Sequence, residues 1–359
     1  MRIVIVCPYD MSVYGGVQNQ VQLLASAYLK RNHNVALCYV GSFNEQSYKF
    51  DVLIKAGNTL KVPVNGSVAP VSFDFLSMSK ALKEIENFKP DVLHIHEPFA
   101  PSISYLLLIK KQFPIVATFH RYGSDYIYKI ASFALRPLAK KIDHACFVSG
   151  YAFKTANELF SISGSILFNA VDLSEFNNLK INKKDSSYVD VLFFGRHEPR
   201  KGLSILLEAF SEINENARLK IIGQGNQTQF LKERFSKLKN VIWCGALSRK
   251  DLIKELYLAD IVVIPSLKGE SFGLSLLEAL AAGNAVIASN LESYREVAGS
   301  SALYFDPGNV KELKTLLIEL INDHNLRQEI SLRASQRARL YDINVLTQRY
   351  EAIFKSLLK

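Results

Sequence analysis

Residues 261–289 read IVVIPSLKGESFGLSLLEALAAGNAVIAS. Ile261–Pro265 is a short, apolar, β-branched run, the pattern of a strand buried on both faces. Leu274–Ala282 has the spacing of a helix, and Ala285–Ser289 is a second apolar run. Strand, helix and strand in this order make a βαβ unit, whose two strands run parallel. Two glutamates follow the first strand. Glu270 lies in the loop just before the helix and Glu278 lies inside it.

The same alternation extends in both directions. Toward the N-terminus of this half, the strand candidates are Val189–Phe194, Leu219–Ile222 and Val241–Cys244, and beyond it Ala302–Phe305. The first half offers Ile3–Cys7, Val35–Val40, Val92–Ile95, Ile115–Phe119, Ala145–Val148 and Ser165–Leu167. Helical patterns lie between them, among them Val17–Lys30, Met78–Phe88, Leu203–Ile213, Lys250–Leu258 and Val310–Asn322. Near-continuous apolar strands separated by helices predict an α/β protein with parallel sheets covered on both faces.

One polar stretch, Leu179–Tyr188 (LKINKKDSSY), has no apolar period and reads as a linker. The pattern restarts after it with VDVLFFG. At about 150 residues per domain, 359 residues suit two. The expected division is 1–168 and 169–342, with Ile343–Leu358 a separate amphipathic helix that could pack on either. There is no sequence repeat and no low-complexity segment.

Composition narrows the class. With 48% hydrophobic and 21% charged residues the chain is neither disordered nor a coiled coil. Cys7, Cys38, Cys146 and Cys244 form no CxxC pair, and three of them sit in strand-like runs. Reduced, buried thiols in a cytoplasmic protein are expected, without a disulfide framework or cysteine zinc site. The net charge is +9, and 17 basic against 11 acidic residues in 1–168 place most of the excess there. No arginine-rich arm or nucleic-acid signature accompanies it, so nucleic acid is not an expected partner. The longest uncharged stretch, Met11–Leu29, is too polar to span a bilayer, and the N-terminus is too short before its first strand for a signal h-region.

In open α/β sheets ligands bind beyond the carboxyl ends of the strands. Gly15-Gly16, after the first strand and before a helix, allows close backbone approach to a ligand and offers a helix N-terminus to phosphate. The dinucleotide fingerprint is missing, because Thr228 stands where Gly223-Gln224-Gly225 would need a third glycine. GRHEPRKG, residues 195–202, puts three cations at a strand end, suited to a diphosphate and to its stabilisation as a leaving group. Glu270 and Glu278 are too far apart along the helix to share a proton, but could grip two ends of one elongated ligand. His120 follows the strand IVATF, where it is expected to meet substrate and to titrate near neutral pH. His94 and His96 are expected to point to opposite faces of their strand, leaving no third ligand for a metal. No DxD pair occurs in the chain.

Taken together, these residues resemble the retaining glycosyltransferases of family 4. The E-x7-E spacing of Glu270 and Glu278, GRHEPRKG, the glycine loop in CPYDMSVYGGVQNQV and the histidine of ATFH carry the resemblance over residues 1–306. CPY…GGVQ, LHIHEPFAPS and GRHEPRKG are most similar to bacterial phosphatidylinositol α-mannosyltransferases, which use GDP-mannose. The resemblance implies the GT-B fold: two Rossmann-like domains facing a central cleft, with the last helix (343–359) crossing back to the N-terminal, acceptor-binding domain. Residues 169–342 would bind the nucleotide sugar.

The roles it implies follow the motifs. Arg196 and Lys201 would hold the diphosphate, Glu278 the ribose hydroxyls and Glu270 the transferred sugar. The backbone of Phe272, Gly273 and Leu274 would lie against sugar and phosphate. Gly16 would let diphosphate and acceptor approach, His120 would bind the sugar, and Tyr9 and Gln18 would contact the acceptor. Front-face substitution at the anomeric carbon and double displacement through Glu270 both suit these residues. No tightly bound cofactor and no metal-binding residue is implied; Mg²⁺ could accompany the diphosphate, without a DxD site to hold it.

The implied setting is peripheral, on the cytoplasmic face of the plasma membrane, with an anionic lipid acceptor. Two features depart from the mannosyltransferase pattern near the implied acceptor site: Phe99, where a polar residue is expected, and Arg121-Tyr122-Gly123-Ser124. The lipid-binding helix of those enzymes corresponds to Ser77–Lys89, which has only Lys80, Lys83 and Lys89 against Glu84 and Glu86. Other basic or exposed apolar groups would have to help it. Three further readings stay open: a family 4 enzyme taking a UDP-sugar to another glycolipid or polysaccharide, a nucleotide-sugar-binding protein without catalysis, and a GT-B sugar epimerase that would convert a nucleotide sugar without an acceptor.

Overall fold

A computed structural model describes residues 1–12, 15–43, 50–64, 67–71, 74–123, 126–177, 188–213 and 216–359, without the side chains of 60–71 and 127. The expected linker 179–188 lies outside the described residues except for Tyr188, as does Ser124. The chain divides into two compact units, Met1–Ala170 with Ile343–Lys359, and Val171–Asp342.

In the first unit nine strands are β1 (Arg2–Asp10), β2 (Asn34–Val40), β3 (Val52–Lys55), β4 (Leu60–Val64), β5 (Ser67–Val71), β6 (Val92–His96), β7 (Ile115–Phe119), β8 (His144–Phe147) and β9 (Gly164–Ile166). Seven form one parallel sheet in the order β3-β2-β1-β6-β7-β8-β9. β4 and β5 pair as a separate antiparallel hairpin, which the apolar periodicity did not reveal. The strands β1, β2, β6 and β7 are buried along nearly their whole length, as continuous apolar runs require when helices cover both faces.

The second unit holds β10 (Val189–Phe194), β11 (Ala217–Ile222), β12 (Val241–Gly245), β13 (Ile261–Ile264), β14 (Ala285–Ser289) and β15 (Leu303–Phe305). They form a parallel sheet in the order β12-β11-β10-β13-β14-β15. Each sheet therefore has one point where strand order reverses: between β1 and β6, and between β10 and β13. Loops leave in opposite directions there and open a crevice at the carboxyl edge.

The C-terminal helix Ile343–Leu357 belongs to the first unit. Its Ile343, Leu346, Tyr350 and Phe354 join Val21, Leu24, Ala25 and Tyr28 of the helix Gly16–Lys30 in one core. At roughly 1.5–3 kcal/mol for each large apolar side chain buried, these contacts fix its place. Glu351 adds an ion pair to Arg31 at 2.5 Å and a hydrogen bond to His33 at 2.9 Å. Cys7, Cys38 and Cys146 are free and buried, and burial pushes the Cys7 thiol up to about 12. No helix among the described residues is long and apolar enough to cross a membrane.

Candidate functional site

At the carboxyl edge of the second sheet, the loops after β10 and β13 flank its reversal point. The first contains the 3₁₀ turn Pro199–Lys201 and ends at Gly202, whose φ is +69°. A Cβ on Gly202 would overlap the Pro265 carbonyl, so glycine lets this turn press against the end of β13. Leu267 N–H donates to the Arg200 carbonyl at 2.7 Å and joins the two loops.

That junction gathers the charges. Lys201 Nζ donates to Glu270 Oε1 at 2.7 Å, and Arg200 Nη1 to the same oxygen at 3.0 Å. Arg200 Nε reaches Glu198 at 3.0 Å, and Arg196 lies 2.9 Å from the other Glu198 oxygen. Three cations thus alternate with two carboxylates, leaving one net positive charge. Arg196 is the most open of them, its side chain 47% exposed. Ser266 also donates to Glu270, at 3.4 Å, and accepts from the Tyr294 hydroxyl at 2.9 Å. Arg200, Ser266 and Tyr294 were not expected at the site. The run of cations points to Arg200, but Ser266 and Tyr294 carry no local signal.

The helix Leu274–Ala281 starts directly after this cluster, so its unpaired first-turn N–H groups and positive dipole end lie beside it. Gly273 opens it with φ +94°, and a Cβ there would sit 2.6 Å from the Tyr294 ring. Phe272 is buried and packs edge-on against Tyr341 with ring centroids 6.0 Å apart. Phe272 therefore contributes backbone, while its ring anchors the loop. Glu278 does not join Glu270. It is buried, and its partner is Arg249, whose Nη1 donates to Glu278 Oε1. Burial raises the Glu278 pKa, and Arg249 opposes the rise. Two carboxylates with separate cations suit the two ends of a ligand.

The glycines of 223–225 serve packing. A Cβ on Gly223 would overlap the Gly195 carbonyl, and one on Gly225 would lie 2.6 Å from the His197 carbonyl. Thr228 accepts from Gly225 N–H at 2.9 Å and shares a hydrogen bond with His197 at 2.8 Å.

The carboxyl edge of the first sheet gathers the other expected residues. Gly16 is exposed and begins the helix Gly16–Lys30. Gly15 is extended at φ −158°, and the Gln18 amide folds over it. Gln18 is buried and donates to the Asp10 carbonyl at 3.2 Å, bracing the turn. Tyr9 is half-buried, close enough to Glu97, Tyr128 and Arg121 to feel their charge. His120 is buried, and its Nε2 shares a 2.8 Å hydrogen bond with His96 Nδ1. Its N–H donates to Glu97 Oε1 at 2.5 Å.

Two expectations fail here. His94 and His96 lie on one face, with ring centroids 4.4 Å apart, because residues i and i+2 of a strand share a face. His120 does not titrate near neutrality: burial pushes it down to about 3, so the imidazole is a neutral hydrogen-bonding group. Phe99, which departs from the family pattern, is 1% exposed and packs on Phe160 and Phe119 at 4.3 and 5.7 Å. Glu97 was missed, although it follows β6 at the reversal point. Burial raises it to about 7, against the His120 N–H and Arg121. Among the described residues no group of three or more His, Cys, Asp or Glu is arranged to hold a metal.

Comparison with known proteins covers the whole chain. Residues 174–337 match the family described as Glycosyl transferases group 1, and residues 14–175 match Glycosyltransferase Family 4. The chain is 32% identical over 365 residues to the phosphatidyl-myo-inositol mannosyltransferase of Mycolicibacterium smegmatis, covering 99% of this chain and 94% of that one. A glycosyltransferase from Rickettsia africae has a similar fold, with TM-score 0.79 at 20% identity over 100% of this chain and 98% of that chain. The Anabaena protein HepE, solved with UDP and glucose, also scores 0.79, at 16% identity over 99% and 100%. At these identities the structural likeness speaks for the fold alone.

Proposed function

As the chain belongs to the family 4 glycosyltransferases and has their GT-B fold, we propose that it transfers mannose from GDP-mannose to a phosphatidylinositol-type lipid, with retention at the anomeric carbon. One observation carries the reading. Arg200 and Lys201 meet Glu270, and Arg196 meets Glu198 beside them, at the reversal point of the second sheet next to a helix N-terminus. A cationic cluster with one carboxylate fits a diphosphate bonded to a sugar: the cations take the phosphate oxygens, and the carboxylate accepts from sugar hydroxyls. The sugar and lipid identities rest on the likeness to mannosyltransferases along the full length.

Front-face substitution suits Glu270 better than double displacement. Its Oε1 already accepts from Lys201, Arg200 and Ser266, and a carboxylate so stabilised is a poor nucleophile. The bond from the anomeric carbon to the diphosphate oxygen breaks while the acceptor oxygen bonds to that carbon from the same face. The acceptor proton passes to the departing diphosphate. Arg196 and Lys201, with Arg200, stabilise the charge as it leaves. Leu274 and its neighbours present helix-terminal N–H groups, and Gly16 offers the corresponding terminus in the first unit. Tyr9, Gln18 and His120 take acceptor and sugar as hydrogen-bonding groups, His120 in its neutral form.

A lipid acceptor needs a membrane surface. The first unit exposes Tyr126, Ile130 and Phe133 along the helix Tyr126–Ala139, and Phe75 and Leu76 at the start of Phe75–Phe88. Lys129 is exposed on the first helix, and Lys80 and Lys83 on the second. Exposed apolar groups with lysines on the same helices suit peripheral binding to an anionic, cytoplasmic leaflet. They supply what the three lysines of 77–89 lack.

The test is donor choice with purified protein. Labelled GDP-mannose or UDP-glucose is supplied with phosphatidylinositol vesicles. Labelled lipid from GDP-mannose alone is expected. Labelled lipid from UDP-glucose instead would overturn the donor assignment, and nucleotide release without labelled lipid would overturn the acceptor.

A further inference from the structure

We infer that Arg249 is a positioning residue for the nucleotide ribose: it aims the Glu278 carboxylate and keeps it charged, and Glu175 holds Arg249 in place. This rests on the reading that Glu278 binds the ribose hydroxyls.

Glu278 lies one turn inside the helix Leu274–Ala281, with its side chain 3% exposed. A carboxylate so buried protonates unless a cation balances it. Arg249 begins the helix Arg249–Leu258 and donates through Nη1 to Glu278 Oε1. Its Nε and Nη2 both donate to Glu175 Oε2, at 3.2 and 2.9 Å. The guanidinium also faces the Phe176 ring, 5.8 Å from its centroid. A planar fork held at both ends cannot turn without breaking one of them. The acidic anchor comes from the short helix Leu173–Asn177, far from Glu278 in sequence.

The second Glu278 oxygen accepts no hydrogen bond from protein among the described residues. It is the acceptor left for a ligand. Two vicinal hydroxyls need two acceptor oxygens, and a protonated carboxyl offers one good one. The charged groups acting on Glu278 are Arg249, which favours ionisation, and Glu175, which opposes it. From the other strands and helices packed on its helix, no further charge acts among the described residues. In the ion pair of Arg218 with Asp190, by contrast, Arg218 takes both carboxylate oxygens, at 2.6 and 2.7 Å, and none is left for a ligand.

The experiment titrates GDP and UDP, which share the ribose, into full-length protein between pH 6 and 8.5. Arg249→Ala is expected to raise both dissociation constants at least tenfold relative to wild type. That ratio should be largest at pH 6 and shrink as pH rises and Glu278 ionises. In the transfer assay the donor KM should rise while kcat stays within about twofold. Arg249→Lys should recover part of the affinity with a ratio that no longer depends on pH, and Glu175→Gln should weaken binding by a few fold.

Unchanged GDP and UDP affinity in Arg249→Ala, where Glu278→Ala loses it, would overturn the inference. So would a loss independent of pH that lowers kcat equally, which marks a structural role. Retained affinity in Glu278→Ala would overturn the ribose reading itself. If Arg249→Ala does not fold, Arg249→Lys and Glu175→Gln decide: wild-type affinity in both would overturn the inference.

Discussion

Gly273 meets two demands at once, a left-handed φ of +94° and the Tyr294 ring 2.6 Å from where a Cβ would stand. Gly273→Ala is expected to destabilise the protein by about 1–3 kcal/mol and to shift the Glu270 loop. Denaturant unfolding reads the first effect and transfer rate the second. Lys201→Ala and Glu270→Gln should each lower turnover by about 10²–10³ while the circular dichroism spectrum is kept. Near wild-type turnover in either would remove the cluster from the mechanism. At the other sheet, His120 at about 3 predicts no limb near pH 6.5 from its imidazole. Glu97, raised to about 7, predicts a stability effect of definite sign. Its folded pKa lies above the unfolded one, so stability is lost as pH rises from about 4.5 through 7. Glu97→Gln should be more stable than wild type above pH 7, by an amount of order 1–3 kcal/mol, and gain nothing below pH 4. Urea unfolding at pH 4 and pH 8 checks this.

Among the elements, the long apolar strands and helices were legible because burial on both faces leaves no polar interruption. Val52–Lys55 was not, being four residues at a sheet edge with two of them exposed. The hairpin of β4 and β5 contains Pro63 and Pro70, which mask a strand pattern that hydrogen-bonds only across one pair. The C-terminal helix showed its amphipathic period, but its partner came from the family resemblance and not from that period. That partner is set by Tyr350, Phe354 and Glu351 meeting residues more than 300 positions earlier. The Arg31 and His33 bonds hold Glu351 down to about 2. A depressed carboxylate contributes stability above its unfolded pKa and loses it as pH falls from about 4.5 to 2. Glu351→Gln should therefore cost about 1–2 kcal/mol at pH 7, after allowance for the partly exposed Arg31, and almost nothing at pH 2.

For the whole molecule, the candidate site was half legible. Arg196, Lys201 and Glu270 stand in loops at strand ends, where parallel topology places ligands, and Glu278 lies one turn into the helix that follows, so their positions in sequence were enough to single them out. Their pairing was not. Lys201 and Glu270 are 69 positions apart and meet only because β10 and β13 are neighbours. Arg249 gave no sign, since its role depends on two carboxylates from different helices. His94 and His96 were misjudged, because residues two apart on a strand share a face. If the exposed apolar helix of the first unit meets the membrane, Ile130→Ser with Phe133→Ser should reduce sedimentation with anionic vesicles several-fold and leave GDP affinity unchanged.

The central claim is transfer of one hexose from a nucleotide sugar to an inositol lipid. The most direct measurement is mass spectrometry of lipid extracted after wild-type protein, GDP-mannose and phosphatidylinositol vesicles are incubated together. The account predicts a phosphatidylinositol species heavier by one hexose residue, absent with Lys201→Ala. Unchanged lipid alongside released GDP would contradict it.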